Sequence, residues 1–125
     1  MIALDTSSLI AYLTGGGGND VERVEDALQH HWAVLPPAVF AELFSDPKLS
    51  REIAALFKEL PLLALHAGYW ERVGLLRAQI LQMGRKAHLA DALIAQSCID
   101  HDVPLVTRDP DFRHFARPGG LKLFR

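Results

Sequence analysis

Short apolar runs alternate along this chain with longer stretches in which apolar residues recur every three or four positions. Ile2–Leu4 reads as a buried strand that ends at Asp5, and residues 7–13 as a first helix. Asn19 or Asp20 would cap a second helix running to about His30. Residues 33–35 predict a short strand before Pro36-Pro37, and Pro37 can open a helix through Phe44. After the interruption at Pro47, residues 49–60 place Ile53, Leu56, Phe57 and Leu60 at helical spacing. Residues 62–65 read as a strand, and residues 69–83 as a long amphipathic helix stopped near Gly84. Residues 89–100 give another helix, residues 104–106 a strand ending at Thr107, and residues 121–124 a last edge strand. Strands alternating with helices predict an α/β fold, a mainly parallel sheet with helices on both faces.

Composition adds bounds. The 125 residues carry no repeat, linker or compositional break, so one domain with its own core is expected. Half the residues are hydrophobic and 22% are charged, as in ordinary soluble domains. No apolar run is long enough for a bilayer, and Met1-Ile-Ala-Leu-Asp5 lacks the basic flank of a signal peptide. A single cysteine, Cys98, forbids an intrachain disulfide, which fits a reducing, cytoplasmic setting. The net charge of −2 speaks against a nucleic-acid partner at first sight. Setting four of the 15 acids aside as cation ligands leaves 11 against 13 bases, so charge alone decides nothing.

Four acids stand where solvation does not explain them. Asp5 ends a buried strand, and Thr6, Ser7 or Ser8 would cap the next helix without it. Asp91 shares its helical face with Ala87, Ile94, Ala95 and Cys98, an apolar setting in which a lone carboxylate is costly. It needs either a cation or a salt bridge, for which Arg85 and Arg108 are the candidates. Glu42 lies among Ala38, Val39 and Phe44, and Asp109 follows residues 105–107 in an Asp-Pro turn. Open parallel sheets bind ligands beyond the carboxyl ends of their strands. Asp5 and Asp109 occupy such ends, and Glu42 and Asp91 are expected near the amino ends of helices around the same crevice. Two carboxylates about 4 Å apart repel by roughly 4 kcal/mol at an effective dielectric of 20, so gathering four requires a cation. An all-carboxylate set suits Mg²⁺ or Mn²⁺. Two such ions about 4 Å apart can clamp the attacking water and leaving oxygen of a phosphodiester displacement.

At this point the chain resembles the PIN-domain ribonucleases, in particular the VapC-type toxins of bacterial toxin–antitoxin pairs. The segments that carry the likeness are Ile2-Ala-Leu-Asp-Thr-Ser-Ser-Leu-Ile10, Leu35-Pro-Pro-Ala-Val-Phe-Ala-Glu-Leu43, Asp91-Ala-Leu-Ile-Ala95 and Pro104-Leu-Val-Thr-Arg-Asp-Pro-Asp-Phe112. The resemblance implies a three-layer α/β/α sandwich and Mg²⁺- or Mn²⁺-dependent RNA cleavage. It places the acidic quartet on Asp5, Glu42, Asp91 and Asp109, with Asp111 competing for the fourth place. It puts a hydroxyl that holds a metal-associated water at Thr107. It also implies a homodimer, and a VapB-like antitoxin whose tail blocks the site.

Weaker signals surround these. Arg85, Lys86 and Arg108 flank site acids and are candidates for the RNA backbone. Gly15 to Gly18 lack the Lys-Ser/Thr of a phosphate loop and read as a mobile turn. His88 has no further histidines or cysteines for zinc and is expected at the rim, and His30-His31 at a helix end. Trp32, Trp70, Phe40 and Phe44 are expected in the core or an interface. A phospho-receiver domain also has an acidic Mg²⁺ pocket. It would be expected to pair acids after the first strand and set lysine after the last, where this chain has Thr6 and Arg108. A catalytically silent RNA-binding module keeps the fold without the chemistry.

Overall fold

The computed structural model describes residues 1–124. Three parallel strands, β1 (Ile2–Leu4), β2 (Ala33–Val34) and β3 (Leu105–Val106), form a sheet in the order β2-β1-β3. Ile2 pairs with Ala33 and Ala3 with Val34, while Ala3 and Leu4 pair on the other side with Leu105 and Val106. Central β1 is buried along its length, as an apolar run flanked on both sides must be. Because the chain leaves β1 toward β2 and later returns to its other edge as β3, the order reverses at β1. The crevice beyond the carboxyl ends of β1 and β3 is therefore the place for a ligand.

The helices are α1 (Thr6–Leu13), α2 (Asn19–Gln29), α3 (Pro37–Phe44), α4 (Arg51–Glu59), α5 (Tyr69–Gln82), α6 (Leu89–His101) and α7 (Arg113–Ala116), with a 3₁₀ turn at Pro110–Phe112. Helix α1 packs on α2, while α6 packs on both α3 and α5, giving the α/β sandwich expected from the pattern. Pro37 does open α3, and Ser50 caps α4 by accepting from the Ile53 amide at 3.2 Å. Apolar side chains from these helices meet the strands in one core that includes Leu4, Leu9, Val39, Phe57, Ile80, Ile94 and Phe115. None of the helices among the described residues is long and apolar enough to cross a membrane.

Several expectations need correction. Residues 62–65 and 121–124 are not strands; each gives a single parallel bridge, Leu35 with Leu62 and Leu105 with Leu123. Leu62 and Leu65 point outward, so that segment has no alternating buried face to extend a ladder. Neither Asn19 nor Asp20 caps α2; Gly18 holds that position, and the Asp20 carboxylate is used elsewhere. The segment after Asp109 is helical rather than a plain turn, with Asp109 as cap and Pro110 next to it. The glycine turn is tied down: the Gly16 amide donates to the Ala11 carbonyl at 2.8 Å, and Arg108 holds the Gly17 carbonyl at 3.0 Å. Of the aromatics expected in the core or an interface, Trp32 and Trp70 are exposed, and Phe40 and Phe44 are half-buried with their rings 4.6 Å apart. His30 closes α2, its Nδ1 lying 2.8 Å from the Asp26 carbonyl.

Candidate active site

Asp5 leaves β1 in extended conformation at the N-cap position of α1, yet its side chain makes no capping bond. Its Oδ2 instead accepts from Ser7 Oγ at 2.6 Å and Thr107 Oγ1 at 2.7 Å, in a residue only 4% exposed. The same two hydroxyls accept from the segment after β3, Thr107 Oγ1 from the Asp109 amide at 3.0 Å and Ser7 Oγ from the Arg108 amide at 3.3 Å. A buried carboxylate thus orients two hydroxyls, and these hang the loop that carries Asp109. Thr107 is committed to that scaffold, a role that only the fold reveals.

Asp109 accepts from the Asp111 amide at 2.9 Å, which starts the 3₁₀ turn and points Asp111 back toward α6. Asp91 arrives from the first turn of α6. Carboxylate oxygens of Asp91, Asp109 and Asp111 all lie within 4.8 Å of one another. Asp109 and Asp111, competitors in the sequence, therefore stand together beside Asp91. Burial, then the Asp109 and Asp5 carboxylates, and more weakly Glu42, push the Asp91 carboxyl up to about 6, against the pull of His88.

Glu42 sits in the last turn of α3 rather than near its amino end, and its exposed side chain accepts from Thr6 Oγ1 at 2.8 Å. Through that contact it reaches the mouth of the crevice at the start of α1. Asp91 thus has Asp109 and Asp111 beside it and feels the charges of Asp5 and Glu42. Among the described residues neither Arg85 nor Arg108 forms the salt bridge anticipated for Asp91. Arg108 turns to Asp20, and Arg85 donates to the Arg117 carbonyl at 3.3 Å. Among the described residues the ion pair at the cluster is made by exposed Lys86, whose Nζ lies 3.4 Å from Asp111 Oδ2. Oxygen-only donors at this spacing, with one carboxyl held up by burial and then by neighbouring carboxylates, fit a hard divalent cation.

The Arg108–Asp20 pair is a second structural device. Arg108 Nε and Nη2 meet Asp20 Oδ2 at 2.8 Å and Oδ1 at 3.0 Å, and buried Ser8 donates to the same carboxylate at 2.8 Å. This holds the Asp20 carboxyl down to about 2, chiefly through Arg108. Gly18 lets the chain pass: at φ +129, a Cβ there would lie 2.9 Å from Asp20 Oδ1. Asp20→Asn should lower stability at pH 7 by about 1 kcal/mol, since the pair is partly screened by solvent. With the folded pKa depressed, that contribution is present above about 4 and fades as pH falls toward 2. Urea denaturation at pH 7 and pH 3 checks this; equal losses at both would show that the charge does not matter.

The PIN domain family model matches residues 2–118, nearly the whole chain and every acid described above. The chain belongs to the PIN domain family. Solved structures give the same fold at low identity. A chain of VapBC2 from Rickettsia felis, bound to a promoter DNA fragment, matches with TM-score 0.74 and 22% identity, over 99% of this PIN domain and 98% of that chain. VapBC-5 of Mycobacterium tuberculosis, a toxin–antitoxin system, matches with TM-score 0.67 and 19% identity, over 99% and 97%. FitAcB from Neisseria gonorrhoeae gives 0.64 and 21%, over 100% and 97%. No curated protein matches this PIN domain by sequence.

Proposed function

We propose that this PIN domain is a metal-dependent endoribonuclease, the toxin of a type II toxin–antitoxin pair. The observation that carries the reading is the convergence of Asp91, Asp109 and Asp111 beyond β3, with the Asp91 carboxyl raised by burial and then by the charges of Asp109, Asp5 and Glu42. Asp5 and Asp91 would be the principal ligands of Mg²⁺ or Mn²⁺, and Glu42, Asp109 and Asp111 would help to hold the metal there. When bound, the metal supplies an activated water and neutralises charge developing on the scissile phosphate. The protein's part is to hold the acids fixed. Asp5 does so through Ser7 and Thr107, and Lys86 bounds the cluster on its Asp111 side. No protein nucleophile is needed.

The neighbours' names support a protein antitoxin as partner, which would act by covering the acids. An apolar cleft lined by Pro37, Ala38, Ala41, Leu65 and Tyr69, with exposed Trp70 on its rim, supports contact with other chains, in a homodimer or that complex. Incubating the purified protein with transfer and ribosomal RNAs, with Mg²⁺, Mn²⁺ or EDTA, tests the activity. Discrete cleavage that EDTA stops is expected, and intact RNA throughout would leave a silent binding module. Mn²⁺ should also raise the melting temperature, because only the folded chain gathers the acids. At a hundred times the dissociation constant the gain is about 2.7 kcal/mol, several degrees of melting temperature. An unmoved melting curve at millimolar Mn²⁺ would count against a formed metal site.

A further inference from the structure

Beyond the acids lies a cleft of the opposite sign. Arg85, Arg113, His114 and Arg117 line one cavity of about 490 Å³, with Ala116 the remaining wall. Helix α7 builds it. Phe112 and Phe115 are fully buried with ring centroids 6.1 Å apart, and fixing those two positions turns Arg113, His114 and Arg117 outward. His114 Nδ1 lies 3.0 Å from the Lys86 carbonyl, which fastens the residue 85–86 segment to α7.

None of the three arginines has an acidic partner among the described residues. The ion pairs there join Arg72 to Asp100, Lys86 to Asp111, Arg108 to Asp20 and Lys122 to Asp102. Three exposed guanidiniums on an anchored frame, in a chain of net charge −2, are a local excess of positive charge. Its position is informative. Lys86 links the cleft to Asp111, and Arg113 also lines the neighbouring cavity together with Thr107, Arg108 and Asp109. Cations therefore run outward from the edge of the acidic cluster. An acid-lined centre repels a polyanion, and adjoining arginines offset that repulsion while their planar donors match phosphate oxygens.

We propose that this cleft binds the phosphodiester backbone of single-stranded RNA next to the bond presented to the acids. The proposal rests on the nuclease reading for its substrate class, but its test reads binding and not cleavage. Anisotropy of a fluorescein-labelled oligouridylate, in EDTA so that no cleavage intervenes, is measured across a salt series. Arg113→Ala/Arg117→Ala should weaken binding at least about tenfold and lower the slope of log affinity against log salt by about 1.4, two phosphate contacts at 0.7 each. Lysine at both positions should restore most of the slope, and Lys48→Ala/Arg51→Ala should change neither quantity. The Mn²⁺-induced rise in melting temperature should persist in the alanine pair, which separates loss of the cleft from loss of fold. Unchanged affinity and slope would overturn the proposal, as would wild-type protein that binds no oligouridylate. So would an alanine pair that loses polyglutamate but keeps RNA, since the cleft would then serve an acidic protein segment. Oligouridylate binding that depends on the arginines, with no RNA cleaved under any condition, would support the cleft and sink the nuclease reading alone.

Discussion

Asp5→Asn is expected to abolish metal-dependent RNA cleavage, by at least about 10³-fold, in a protein that remains folded. Asp5 Oδ2 accepts both the Ser7 and Thr107 hydroxyls. An asparagine can turn its carbonyl oxygen to those hydroxyls and keep the scaffold that positions Asp109. Its amide group must then take the place of the other carboxylate oxygen. There a neutral donor repels a cation, and one negative charge is lost from the site. The hydrogen-bond change is worth only about 1 kcal/mol in stability, so unfolding should not account for the loss. Cleavage of a fluorogenic RNA, read beside circular dichroism melting, checks both halves. Wild-type rates in the variant would remove Asp5 from the chemistry, and an unfolded variant would assign it to structure.

Asp91→Asn should show the opposite sign in stability while also abolishing cleavage. The folded carboxyl titrates at about 6 against an ordinary 3.8, so the folded state holds its proton more tightly than the unfolded chain does. The stabilisation from that proton is complete below about pH 4 and is lost as pH rises through 6. At pH 7 the metal-free protein therefore bears the cost of an ionised Asp91 among its neighbours. The shift corresponds to about 3 kcal/mol by linkage, reduced to about 1 kcal/mol because the carboxyl is half-exposed and screened. Asparagine removes that cost. In EDTA at pH 7 the variant should melt a few degrees above wild type, the gap should close near pH 4, and Mn²⁺ should add little. A variant less stable than wild type at pH 7 would mean that the carboxylate supports the fold rather than straining it.

Asp5 and Asp91 stand out in the sequence because each breaks a local rule. Asp5 ended a buried strand where hydroxyls already offered capping, and its side chain indeed makes no cap bond. Asp91 sat on an apolar helical face. Glu42 stands out on weaker grounds, and it lies in the last turn of α3 rather than near its amino end. What escaped the sequence was the support. Thr107 lies 102 residues from Asp5 and Arg108 lies 88 from Asp20, so neither pairing leaves a local trace. The helix after Asp109 was different. An aspartate followed by proline is compatible both with a plain turn and with an N-cap and first helical turn, and the structure takes the second. The strand expected at residues 62–65 is missing for a physical reason: with Leu62 and Leu65 exposed, hydrophobicity there marks surface rather than sheet.

Those reduced strands bear on behaviour in concentrated solution. Beyond β2 and beyond β3 the ladder stops after one residue, at Leu62 and at Leu123. A longer free margin would offer a row of unmet amides and carbonyls to any passing chain, a template for stacking into fibrils. Here the backbone groups that flank the sheet are spent at once: the Leu35 amide and carbonyl on Pro61 and Leu63, those of Leu105 on Lys122 and Phe124. At each margin of the sheet a single bridged residue, Leu35 or Leu105, thus has its outward amide and carbonyl already engaged, which leaves less backbone for an added strand to pair with.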